Sequence, residues 1–224
     1  MIAAARVPAF QAEADRSDEP MSDRLSRTPY SESVRVVLVR HCQSAANAAT
    51  PPPTWGLTAD GHRQAAELVV SPWLATATVL AAGPEPKMVQ TLRPTAERLG
   101  VDVVIDDAFR ETDASWLPDG EFLLSVSRLF ASPTSSPAAG WEPSREAARR
   151  FLAGVTSISS SWPDVDIVVC SGGRALTSLL MEVAAIDSER AFSYWQSIRM
   201  PDIAVVDMPT NGAPIVRQHF ADNR

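Results

Sequence analysis

Cysteine is nearly absent from this chain, with 2 in 224 residues. Cys42 and Cys170 each close an apolar run, and neither has a CxxC partner. A disulfide framework is therefore excluded, and a reducing, cytoplasmic setting is expected. Histidine is almost as scarce: His41, His62 and His219 are all there is. HExxH and carboxylate clusters are missing too, so neither a metal nor another cofactor is expected. No apolar run approaches the roughly 20 residues that span a bilayer. Basic charge is the minority, with 20 Lys and Arg against 27 Asp and Glu and a net charge of −7. That balance argues against nucleic acid or an anionic membrane as partner. It leaves room for a small anionic ligand, because a few local cations can dominate a pocket.

What is present suits one globular domain. Residues 1–33 mix polarity without a lasting helical stripe and without the apolar core of a secretory signal. They are expected to form a disordered tail, with Met21 a second candidate start. The domain is expected over 34–224, with a cap or loop insertion around 112–143. Within it, ASPTSSPAAGWEP (131–143) reads as a loop. Nothing in the sequence fixes an oligomeric state.

Short β-branched runs alternate with helical patterns. VRVVLV (34–39), TVLAAG (78–83), VDVVI (101–105), DIVVC (166–170) and IAVVDM (203–208) read as strands. Thr58 is the expected cap of the helix that follows it. KMVQTLRPTAERLG should stop at Gly100 and bend or restart at Pro94. Ser144 is the expected cap of SREAARRFLAGV. Continuous hydrophobicity in the strands implies burial on both faces. The fold class is therefore α/β, a three-layer α/β/α sandwich with a mostly parallel central sheet. In such sheets ligands bind beyond the carboxyl ends of the strands. Arg40–His41 and Ser171–Gly172–Gly173 both fall at such ends.

The stretch VVLVRHCQSAAN (36–47) carries the chemistry. A neutral imidazole on a rigid strand end is a good nucleophile toward phosphorus. Arg40 adds a planar fork of donors for phosphoryl oxygens, and Gln43 and Asn47 add neutral donors. An isolated Arg-His pair would otherwise read as a solvated loop. Here VRHCQSAAN followed by LTADGHRQA (57–65) closely resembles the histidine phosphatase superfamily, the phosphoglycerate-mutase-like proteins. The resemblance runs from about Val34 to Met208.

That resemblance implies roles for matching residues. His41 would form a phosphohistidine, with Arg40 and Asn47 as phosphate ligands. A further family arginine falls on Lys87 in GPEPKMVQT, with Arg93 as a nearby alternative. A lysine there keeps the charge and loses the bidentate fork. Glu111, in FRETDAS, matches the acid that protonates the leaving alcohol and later activates water. Asp113 competes for that role. Cys42 is expected to be a packing residue.

The pattern breaks at VVCSGGRALTSLL (168–180). Ser171 falls where the family carries its second histidine, while Gly172 and Gly173 are retained. Losing such a donor costs on the order of a hundred- to a thousandfold in rate. Ser171 and the amides at Gly172 and Gly173 are the expected substitutes in phosphate binding. Arg174 could turn inward, although an Arg at a helix start more often points to solvent. The leading expectation is a metal-independent phosphomonoesterase, slow or specialised, acting on a small phosphorylated substrate. A degraded domain that binds a phosphorylated ligand or protein is the alternative, and a mutase proper is the weaker third. The aromatics between Trp116 and Trp141 are expected to pack the cap onto the body, with Arg128 a second anion contact.

Overall fold

The computed structural model describes residues 33–163 and 165–222. The tail expected over 1–33 lies outside them, apart from Ser33, which opens the first strand. Six strands are described: β1 (Ser33–Arg40), β2 (Val79–Ala82), β3 (Val103–Ile105), β4 (Ile167–Ser171), β5 (Asp202–Pro209) and β6 (Ile215–Gln218). Their order in the sheet is β3-β2-β4-β1-β5-β6. The first four are parallel; β5 and β6 add antiparallel partners beside β1. The helices are α1 (Ala59–Leu68), α2 (Pro72–Ala75), α3 (Pro86–Leu99), α4 (Asp119–Ala131), α5 (Ser144–Ser161), α6 (Gly173–Val183) and α7 (Ser188–Ser197). This is the mostly parallel three-layer α/β fold expected.

Strand alternation sorts the core into two layers. Val36, Leu38, Ile167 and Val169 face Phe151, Val155, Leu176 and Leu179 of α5 and α6. Val37, Val39, Val168 and Cys170 face Leu74, Met88 and Leu92 of α2 and α3. Each fully buried aliphatic side chain contributes about 1.5–3 kcal/mol. No residue from Val36 to Val39 is exposed, which is why that run lacks polar alternation.

Local signals held at some ends and failed at others. The Thr58 side chain accepts the Gly61 N–H, and Gly100 ends α3 at φ 68°. The Val101 N–H turns back to the Ala96 carbonyl, so β3 begins later than its apolar run. α3 does not restart at Pro94 but runs through it as one helix. The lost hydrogen bond is offset by burial of Met88, Leu92 and Ala96 along one face. Ser144 does not cap α5: Pro143 holds that position and Ser144 is already helical. From there its hydroxyl does not reach the first-turn amides, and it is buried without a partner. Among the described residues, no helix is long and apolar enough to cross a membrane.

Candidate active site

Adjacent parallel strands deliver the site. The ends of β2, β4 and β1 launch Gly83–Lys87, Ser171–Arg174 and Arg40–His41, side by side. The His41 N–H donates to the Ser171 carbonyl at 3.0 Å, tying the turns together. The β1 turn is clamped onto the start of α1. Gln43 accepts the Thr58 N–H at 3.0 Å, and a Cβ at Gly61 would stand 2.2 Å from the Gln43 carbonyl. That close approach requires the glycine of LTADG. Gln43 is therefore an anchor for α1, and its own side chain is exposed.

His41 is 5% exposed. Its Nδ1 lies 2.7 Å from the Cys42 carbonyl. A carbonyl can only accept, so Nδ1 carries the proton and the lone pair resides on Nε2. Burial pushes the imidazole pKa down to about 4; Lys87 and Arg40 push the same way. The ring is neutral at physiological pH, as a nucleophile must be. Cys42 is fully buried, and burial raises its thiol to about 11, in keeping with the packing role expected.

Cations gather around this ring. Arg40 donates through Nη1 to the Ile198 carbonyl at 2.5 Å, while its Nε is buried without a partner. Burial lowers its pKa, opposed by Glu111 and Asp202. Lys87 is 5% exposed and donates to the Pro52 carbonyl at 3.2 Å. Burial lowers its pKa too, against Glu85 and Glu111. Arg93 is exposed on α3, leaving Lys87 as the cation of that helix at the site. Arg128 is likewise exposed, on α4.

The β4 turn differs from expectation. Ser171 is wholly buried and its hydroxyl donates to the Phe109 carbonyl at 2.7 Å. It is committed away from the pocket, so it is not the phosphate donor expected. Gly172 faces the site instead: a Cβ there would lie 2.1 Å from Glu111 Oε2. Side chains alternate at a strand end, so moving one residue along exchanges one face for the other. Arg174 does not point to solvent. It is 7% exposed, its Nε stands 3.6 Å from Glu111 Oε2, and its guanidinium lies over Trp141 and Phe122 at 5.0 and 5.5 Å.

Glu111 is pinned. Its Oε1 accepts the Thr112 and Ala175 N–H groups at 2.9 and 2.8 Å, and its Oε2 accepts the Arg174 N–H at 3.3 Å. Burial raises its pKa; Arg174, those amides and Lys87 outweigh it and hold the carboxyl below the usual range. Asp113 is exposed and paired with Arg110 at 3.1 Å, outside this cluster. Asn47 is exposed in the loop after β1, and its side-chain oxygen accepts the Ala49 N–H at 2.9 Å. His62 is exposed on α1, and His219 follows β6, 3.5 Å from the Tyr194 hydroxyl. No second imidazole joins His41 among the described residues.

Glu85 was not anticipated. It is 5% exposed; its Oε1 accepts the Glu111 N–H at 2.8 Å and its Oε2 has no partner. Burial raises its pKa. Trp195 was missed as well: its Nε1 and the Arg40 guanidinium both crowd Gly173. Phe130 and Trp141 are buried in one cluster with Val126 and Leu129 of α4 and Ala191 of α7, while Trp116 is 44% exposed.

A sequence profile described as the histidine phosphatase superfamily, branch 1, matches residues 36–218. The chain belongs to that superfamily. A search of curated protein sequences finds no significant match. Among solved structures, the chain is similar to a mycobacterial glucosyl-3-phosphoglycerate phosphatase: TM-score 0.68, 17% identity, 85% of this chain and 100% of that one. It is also similar to a phosphoserine phosphatase of Entamoeba histolytica: TM-score 0.65, 13% identity, 84% and 97% covered. A Bacillus stearothermophilus protein gives TM-score 0.70 at 14% identity, with 83% and 96% covered. These likenesses show the shared fold. The superfamily gives the clustering at the strand ends its context. No group of metal-binding side chains stands among the described residues.

Proposed function

We propose that this chain is a phosphoric-monoester hydrolase that works through a phosphohistidine at His41. The observation that carries this is the hydrogen bond from His41 Nδ1 to the Cys42 carbonyl. It fixes the tautomer in which Nε2 holds the lone pair. Nε2 attacks phosphorus, and the P–O bond to the alcohol breaks. Arg40, with an unpartnered Nε, and Lys87 hold the phosphoryl oxygens. Asn47 has amide donors to add from the loop above. The residues present supply nucleophile and anion binding on their own, so no metal is invoked. Glu111 is the proton carrier, giving its proton to the leaving oxygen and regaining one from the water that hydrolyses the phosphohistidine. The solved neighbours include the same mycobacterial phosphatase with inorganic phosphate and with VO3, which supports a tetrahedral-anion site on this fold.

A second reading is a domain that binds a phosphorylated ligand with little turnover. The missing second imidazole favours it, because Ser171 is spent on Phe109. An aryl phosphate separates the two. Hydrolysis that vanishes in His41→Ala supports the enzyme. Thermal stabilisation by phosphate without turnover supports the binding domain, and neither effect would refute both.

A further inference from the structure

Glu111 sits where an anion belongs. The first amides of α6 form a cradle for negative charge, and Arg174 reinforces it. In this structure the cradle is full: the Glu111 carboxylate takes the Arg174 and Ala175 N–H groups at 3.3 and 2.8 Å. It also fills the room a side chain at Gly172 would need, with Oε2 2.1 Å from that virtual Cβ. Arg40 lies against Gly173 at the same helix start, its Nε buried and unpartnered. A dianionic phosphoryl group entering beside Arg40 and Lys87 meets a carboxylate already seated there.

We infer that Glu111 is a resident stand-in for the phosphoryl group, and that an incoming tetrahedral anion displaces it from the α6 amides and loads it with a proton. The inference rests on the phosphatase reading, since it supplies the proton that reading needs. The groups facing Glu111 are Arg174 from α6, Lys87 from α3, Glu85 before α3, and Arg40 and His41 from β1. When seated, Glu111 is bonded as an anion by three N–H groups. Once displaced, it loses two of them and stands near the negative charge of the ligand. Both changes favour the protonated form.

The proton balance closes. One proton enters from solvent as the substrate binds. The P–O bond breaks, its electron pair stays on the leaving oxygen, and that oxygen takes the Glu111 proton. Water then attacks the phosphohistidine and returns a proton to Glu111 as the P–N pair goes back to Nε2. When phosphate leaves, Glu111 releases the proton and reseats on α6.

Sulfate is the probe, because it is tetrahedral and has no proton to exchange at neutral pH. Calorimetric titration in buffers of different ionisation enthalpy reads protons taken up by the protein on binding. The wild type should take up protons as sulfate binds. Glu111→Gln, which lacks the competing charge, should take up none and bind sulfate about tenfold tighter or more. Sulfate binding without proton uptake, or with equal affinity in the two proteins, overturns the inference and leaves the phosphatase reading standing. Failure of both proteins to bind sulfate or phosphate removes that reading and this one together. Should the variant fail to fold, Glu111→Ala takes its place in both readings, so that uptake is still assigned to Glu111 by its loss.

Discussion

The ends of β1 and β4 lie side by side, yet they follow different logics. At β1, Val36–Val39 are buried and the next two residues, Arg40 and His41, are the pair on which the proposed chemistry rests. Local sequence and final geometry agree there. At β4 the turn is Ser171–Gly172–Gly173, and its side chains offer no second imidazole. Its polar groups are the first amides of α6 and Arg174, which follow the turn directly, but what they hold comes from elsewhere: a carboxylate from the loop after β3 and aromatic rings over the guanidinium. In the proposed reading, the nucleophile comes from one local motif, while the groups opposite it depend on tertiary contacts.

That contrast can be broken in graded ways. Removing the β1 cation should do the most. Arg40→Met should lower kcat/KM for an aryl phosphate by about a thousandfold, since both bonded and unpartnered guanidinium nitrogens are lost. A smaller kinetic loss should come from crowding the β4 turn. Gly172→Ala places a methyl 2.1 Å from Glu111 Oε2, so Glu111 must move. We expect kcat to fall about a hundredfold, with the same variant binding sulfate tighter.

Proton linkage gives a thermodynamic test of the β1 half. His41 has a folded pKa of about 4 against 6.5 when unfolded. Between those values the unfolded chain binds more protons, so stability rises with pH. About 3 kcal/mol should be lost as pH falls from above 6.5 to 4, and His41→Asn should flatten that part of the curve in denaturant titrations. The mildest change should be Ser171→Ala. It deletes one hydrogen bond to Phe109, costing about 1–2 kcal/mol of stability while leaving kcat within a few-fold. By the same geometry Ser171→His buries an imidazole in the core and should destabilise the fold rather than restore activity. A large kcat loss in Ser171→Ala would return that hydroxyl to the site.

Much of this was legible in the sequence for physical reasons. Buried parallel strands leave continuous β-branched runs, so β1, β2 and β4 showed themselves. Thr58 and Gly100 act within their own turn, and their roles could be read locally. Ser171 could not be placed, because one residue of offset at a strand end decides which side chain enters the pocket. Arg174 points inward where Glu111 and the rings of Phe122 and Trp141, all far away in sequence, meet its guanidinium. Glu85 carried no expected role, and its Oε1 accepts the Glu111 N–H, a contact 26 residues away in sequence. No local pattern announces such a contact. The glutamate in GPEPK, two residues before the site lysine, was the one available hint.

The central claim is the covalent one, and it can be read directly. Protein mixed with an aryl phosphate and quenched in base within milliseconds should carry one acid-labile, base-stable phosphoryl group. Peptide mapping should place it on His41, and His41→Ala should carry none. Turnover with no trapped phosphoenzyme, or a phosphoryl group on any other side chain, would contradict the account.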